Sequence, residues 1–168
     1  MRKLKFVMLL ALAIAFVSCS SDDDNGSNKY NKENLVGQYQ LKSFDSKEIK
    51  IIEVEGFEIE TKTTSEGDTF NLSYDFANNN EVTLNGNYRI EEVKKQGNNT
   101  SDSTYIVNYN EEVLSFMVNE DEKTLTIDGK EFKVQTFNSN GFKIRHTDVT
   151  IDGSGNSREY EENLRFSK

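Results

Sequence analysis

From Leu35 onward, apolar and polar side chains alternate, with almost no helical period. The stretch TFNLSYDF is the plainest case: Phe70, Leu72, Tyr74 and Phe76 fall on one side, and Asn71, Ser73 and Asp75 on the other. Period two over that length is the pattern of a strand with one buried face. The alternation recurs at Tyr39 and Leu41, Ile49 and Ile51, Phe57 and Ile59, Val82 and Leu84, and Tyr88 and Ile90. It continues through Tyr105, Val107 and Tyr109, then Leu125 and Ile127, Phe132 and Val134, Phe142 and Ile144, and finally Leu164 and Phe166.

Turn signals separate these runs. The Asp-Gly inside KTLTIDGKEFKV reads as the centre of a tight hairpin. NNN at 78–80, NSNG at 138–141 and DGSGN at 152–156 mark further hairpins, and KKQGNNTSDS at 94–103 reads as a longer polar loop. The pattern predicts an all-β fold, an antiparallel meander of eight to ten short strands closing into an up-and-down barrel. Closure is expected because it removes exposed strand edges, and a β-sandwich is the alternative. A closed barrel of eight strands can hold one small ligand. If the phase of TFNLSYDF faces inward, Phe70, Tyr74, Phe76, Tyr105 and Tyr109 are candidates to line that pocket; the other outcome for them is a filled core.

The first residues follow a different pattern. Arg2, Lys3 and Lys5 precede an uncharged apolar run of 12 residues, Phe6–Val17. That is a positive segment followed by an apolar segment of secretory length, shorter than the roughly 20 residues that span a bilayer. The run ends in FVSC, which resembles the lipobox of bacterial lipoproteins. The resemblance implies a lipid on Cys19, cleavage between Ser18 and Cys19, and acylation of the new amino group. More than one acyl chain is needed, because one anchors only marginally. The stretch Ser20, Ser21, Asp22, Asp23, Asp24 resembles the acidic export signal of surface lipoproteins of the Bacteroidota. Its other reading is a solvated spacer on a lipoprotein at the periplasmic face of the outer membrane. The expected organisation is a signal peptide at 1–18, a lipidated cysteine with a flexible acidic tether at 19–34, and one β-barrel domain at 35–168.

Charge narrows the partners. Residues 1–18 carry three of the 20 basic residues and none of the 29 acidic ones, so the rest holds 17 basic against 29 acidic, a formal net charge of −12. That balance argues against nucleic acid and against anionic lipid head groups, leaving the lipid anchor as the membrane contact. Cys19 is the sole cysteine. Once lipidated it leaves no thiol for a disulfide, a metal or a nucleophile.

NKENLVGQYQL, residues 31–41, resembles the opening of lipocalin-like domains, a short helical turn followed by Gly-x-Trp on the first strand. Gly37 and Tyr39 occupy the motif, with Tyr in the Trp place. The resemblance implies that Tyr39 closes the barrel bottom and that an arginine of the last strand, here Arg165, packs across it by cation–π stacking. FNLSYDFANNNEVTLNGNYRI resembles the mid-domain hairpin of lipocalin-like lipoproteins.

Catalytic patterns are sparse. His146, the single histidine, shares the alternation of Phe142 and Ile144 and reads as a wall or rim residue. No nucleophile-elbow spacing occurs. The pairs Glu91–Glu92, Glu111–Glu112 and Glu161–Glu162 are strand neighbours facing opposite ways, so none forms a dyad as such, and all read as surface. Asp152, Ser154 and Asn156 have the first spacings of a calcium loop, but Ser157 and Asn163 stand where Gly and Glu belong, which favours a hairpin turn. DST at 102–104 resembles the O-glycosylation motif of exported Bacteroidota proteins, with Ser103 as acceptor. No enzyme activity, cofactor or metal is expected. The expected function is a cell-envelope lipoprotein, at the outer membrane and facing either the surface or the periplasm, whose barrel binds a small apolar ligand. The alternative is a scaffold of inhibitor or immunity type that binds a protein or glycan through loops such as 94–103.

Overall fold

A computed structural model describes residues 29–168. Cys19 and the Ser20–Asp24 signal lie outside the described residues. The chain opens with a single helical turn, α1 (Lys32–Leu35), capped where Asn34 N–H donates to Asn31 Oδ1 at 2.8 Å. Eight strands follow in order: β1 (Gly37–Val54), β2 (Phe57–Phe76), β3 (Glu81–Gln96), β4 (Asn99–Asn119), β5 (Thr124–Ile127), β6 (Lys130–Asn138), β7 (Gly141–Ile151) and β8 (Ser157–Ser167). Each pairs antiparallel with the next, and β8 returns to β1, giving a closed up-and-down barrel rather than a sandwich.

The inward set follows the alternation. Leu72, Tyr74 and Phe76 on β2, Val82 and Leu84 on β3, and Leu164 and Phe166 on β8 are all buried. The turns at 128–129, 138–141 and 152–156 fall between strands as the sequence predicts. Asp128 and Gly129 have φ of 48° and 79°, the two positive angles that a two-residue hairpin turn requires. Near the middle of the barrel, β2 is bulged at Thr69, and the neighbouring backbone of β3 comes close. A Cβ on Gly86 (φ 116°) would overlap the Asn71 carbonyl oxygen, so only glycine fits there.

One end is filled. Leu35 from α1 plugs it, fully buried. Around the plug the rings of Tyr39, Phe76, Phe116, Phe142 and Phe166 interlock, with Tyr39–Phe142 centroids 4.9 Å apart and Phe142–Phe166 stacked at 4.5 Å. Tyr30 belongs to this floor: it is 8% exposed and its hydroxyl donates to the Thr124 carbonyl at 2.8 Å. The packed domain thus reaches back to Tyr30, into the stretch that polar composition assigns to the tether. An aromatic anchor and a capped helical turn are enough to dock a segment that is otherwise polar.

The other end is uneven. The β1–β2 and β3–β4 hairpins run on well past their neighbours, whereas β5 and β6 are short. β4 pairs with β5 only over Phe116–Asn119, and β7 pairs with β6 only as far as Arg145. The wall between β4 and β7 is therefore low. Residues 94–103, expected to be a loop, are instead the tip of the β3–β4 hairpin, with Gln96 opposite Asn99. Both faces of this tip are solvated, so its strands carry no apolar period for sequence reading to detect.

Candidate functional site

A cavity of about 370 Å³ lies above the aromatic floor. Seven of the eight strands contribute to its lining: Phe44 from β1, Tyr74 from β2, Leu84 and Tyr88 from β3, Tyr109 and Leu114 from β4, Ile127 from β5, Lys130 and Phe132 from β6, and Glu162 and Leu164 from β8. Asp128, in the β5–β6 turn, stands at its edge. The low wall above the short β5–β6 hairpin puts its mouth on the side of the barrel.

The polar part of this cavity is assembled by closure. Glu162 lies on the inward row of β8, opposite Ser46 of β1 and His146 of β7, and is only 8% exposed. Lys130 enters from the first position of β6, straight after the tight turn, and its Nζ sits 2.7 Å from Glu162 Oε2. The Tyr160 hydroxyl donates to the same oxygen at 2.5 Å. The Lys130 ammonium also faces two rings, 5.3 Å from the Phe132 centroid and 5.2 Å from that of Tyr160. Both bonds fall on Oε2, and no described residue donates to Oε1. No buried side-chain oxygen or nitrogen among the described residues lacks a partner, so Oε1 opens onto accessible space. An ionised carboxylate oxygen only accepts, so what meets Oε1 must donate.

Above this cluster, Arg158 bridges Glu48 (Nε to Oε1, 2.5 Å) and Asp148 (Nη1 to Oδ2, 2.9 Å). Its guanidinium carbon lies 4.9 Å from the Tyr160 centroid. His146 Nδ1 is 2.7 Å from the Glu131 carbonyl oxygen, and its ring lies beside Phe132 and Tyr160.

The five ligand-pocket candidates separate. Tyr74 and Tyr109 line the cavity. Phe70 lies outside the lining, stacked on Tyr88 at 5.7 Å, because the bulge at Thr69 shifts it along the wall. Phe76 is sealed into the filled floor against Phe116 at 5.1 Å, so it faces no open space. Tyr105 is paired opposite Ile90 and is 44% exposed, because no strand rises across from that height of β4.

Of the barrel-closing set, Gly37 starts β1 and Tyr39 is fully buried, its hydroxyl donating to the Asn34 carbonyl at 3.3 Å. Burial pushes its phenol up to about 12. Arg165 does not cover it. Leu164 and Phe166 point inward, so Arg165 between them points out, and the cation over the Tyr39 ring is Lys168, 5.2 Å from the centroid. Ser103 lies within β4, exposed, rather than in a loop. The Asp152 carboxylate accepts from the Ser154 and Asn156 amides at 2.8 and 3.0 Å, an Asx-type turn. Among the described residues no cluster of three or more His, Cys, Asp or Glu is placed to hold a metal.

Sequence reading misses the centre of the site. Glu162 reads as surface beside Glu161, yet only Glu161 faces out, where it pairs with Arg145 at 2.8 Å. The available signal was parity: Glu162 shares its phase with Leu164 and Phe166.

No known family model matches this chain, and no curated protein does. Among solved structures, that of the S-type phycobiliprotein lyase CPES from Guillardia theta aligns with 82% of this chain and 90% of that chain, at 13% identity and a TM-score of 0.24. A likeness at that level carries no argument about chemistry. The class is defined by the molecule itself, a closed eight-stranded barrel with a filled floor and an aromatic side cavity.

The phenols report on the cavity. Burial raises the pKa of Tyr74, Tyr88 and Tyr109 above the ordinary value near 10, reinforced by neighbouring phenols and Glu162 at Tyr74 and Tyr88 and by Glu112 and Glu162 at Tyr109. A group with a raised folded pKa keeps a proton that the unfolded chain releases. The stability it provides is complete below pH about 10 and declines as pH rises beyond it. Tyrosinate absorbance at pH about 10.5 should therefore be well under half of that in denaturant, and the folding midpoint should fall steeply above pH about 10. Equal absorbance in the two states would contradict a buried tyrosine cluster.

Proposed function

We propose that the barrel binds one small molecule with a largely apolar body and a hydrogen-bond donor at its polar end. The observation that carries this reading is the 370 Å³ cavity with Glu162 Oε1 opening into accessible space and an aromatic wall around it. The volume lies at the lower end of the range for ligand pockets, roughly 300–1,000 Å³. Lys130 is already engaged by Glu162 and two rings, so the unengaged oxygen of Glu162 is the group that sets orientation. The phenol groups of Tyr74, Tyr88 and Tyr109 stay neutral at physiological pH and offer further polar contacts.

In this reading the protein is an envelope lipoprotein. Cys19 carries the lipid, the acidic stretch Ser20–Asp24 favours export to the outer-membrane surface, and the barrel is held at the end of the tether. Support comes from the FVSC and SSDDD stretches. A second reading, a scaffold for a protein partner, is favoured by the unpaired side of β4, where Tyr105 and Ile106 are 44% and 61% exposed.

N-phenyl-1-naphthylamine, an apolar arylamine with one N–H, is a suitable probe. Its fluorescence should rise and saturate at one molecule per chain. Leu114→Trp, which projects an indole into the cavity from a half-buried position, should weaken that affinity by about tenfold or more while the fold survives. No saturable signal, or an affinity that Leu114→Trp leaves unchanged, would rule out this cavity as the binding site. For the anchor, Cys19→Ala should move the protein from the membrane to the soluble fraction of its producing cells; a variant that stays in the membrane fraction would count against it.

A further inference from the structure

The outer wall near the closed end carries three cations that the fold does not pair. Lys143 on β7 and Arg165 on β8 stand directly opposite one another in the antiparallel register. Lys42 is the extra residue where β1 slips against β8, next to Ser43, the β1 partner of Arg165. Like charges directly opposite on a sheet are destabilising. One row further along, the same wall is neutralised: Arg145 pairs with Glu161, and Asn163 Nδ2 donates to Asp45 Oδ2 at 2.9 Å. Among the described residues, Lys42, Lys143 and Arg165 form no ion pair.

A cleft of about 340 Å³ lies over these three residues and takes in Thr136, Asn138 and Asn140; no carboxylate lines it. The chain holds 29 acidic residues against 20 basic ones, yet among the described residues no acid is spent on this row. A local conflict that the described residues leave uncompensated is the kind of place where functional sites are expected.

We propose that this cleft binds a phosphate group. The guanidinium of Arg165 presents the planar fork that matches two oxygens of a tetrahedral oxyanion, Lys42 and Lys143 act as point charges, and the hydroxyl and amides of Thr136, Asn138 and Asn140 add neutral donors. The site is separate from the barrel cavity, because Arg165 faces out while its neighbours Leu164 and Phe166 face in. The acidic remainder of the surface repels anions at a distance, but that field is screened beyond about 8 Å at physiological ionic strength, so the site acts at contact range. The phosphate comes either as a free phosphorylated molecule or on a lipid headgroup.

The test is a titration of the ¹⁵N-labelled protein with inorganic phosphate, set against sodium chloride at matched ionic strength. Saturable shifts at the Arg165 Nε and at the Gly141 and Lys143 amides are expected with phosphate and not with chloride. Arg165→Gln and, separately, Lys143→Gln should each weaken the affinity by about tenfold. Both residues are exposed, so the rest of the spectrum should be unchanged. Equal shifts with the two salts, or an affinity that neither variant alters, would overturn the proposal. Vesicles of phosphatidylglycerol distinguish the sources. Sedimentation with them that inorganic phosphate competes away assigns the headgroup, and phosphate shifts without sedimentation assign a free phosphate. Sedimentation that Arg165→Gln leaves intact counts against the cleft.

Discussion

The ladder between β1 and β8, from Gln40 opposite Ser167 to Ile51 opposite Ser157, joins the two ends of the meander. Without it the alternation would make a curved sheet with a wet face and two open edges. With it, one phase of every strand converges on a common interior. The aromatic floor depends on this directly, since Tyr39 of β1 can meet Phe142 of β7 only across the closed seam. So does the polar cluster: Glu162 comes from β8, Lys130 from β6, and Ser46, beside Glu162, from β1.

Unequal strand length then decides what the interior becomes. At the α1 end, all eight strands are opposed and large rings fill the space, leaving Phe76 and Phe116 at 1% exposure. Higher up, β5 and β6 run out while β1 to β4 continue, and the packing opens into a cavity with a side mouth. A buried carboxylate is costly unless it is paired and hydrogen-bonded. Glu162 meets that condition through Lys130 and Tyr160, and it does so with one oxygen only. The other accepts from no described residue.

Much of this was legible beforehand. Period two in TFNLSYDF groups Leu72, Tyr74 and Phe76 on one face, which the closed barrel turns inward, and the Asp128-Gly129 turn is where it should be. What was hidden has specific causes. Phe70 shares the period of Tyr74, but the bulge at Thr69, where φ is 51°, inserts a residue that no period can announce. The tip of the β3–β4 hairpin is strand without an apolar face. Arg165 was expected over Tyr39 on the strength of a resemblance, although its own parity places it outside. Lys130 and Glu162 are 32 residues apart, and no spacing rule links them before the barrel closes.

A small molecule held between the tyrosines and Glu162 should travel with the protein. The most direct measurement is native mass spectrometry of the full-length protein isolated from the cells that make it. One additional non-covalent mass per chain is expected, released on mild activation, from a largely apolar compound bearing an N–H or O–H donor. A chain of bare mass, still empty after incubation with an extract of those cells, would contradict it.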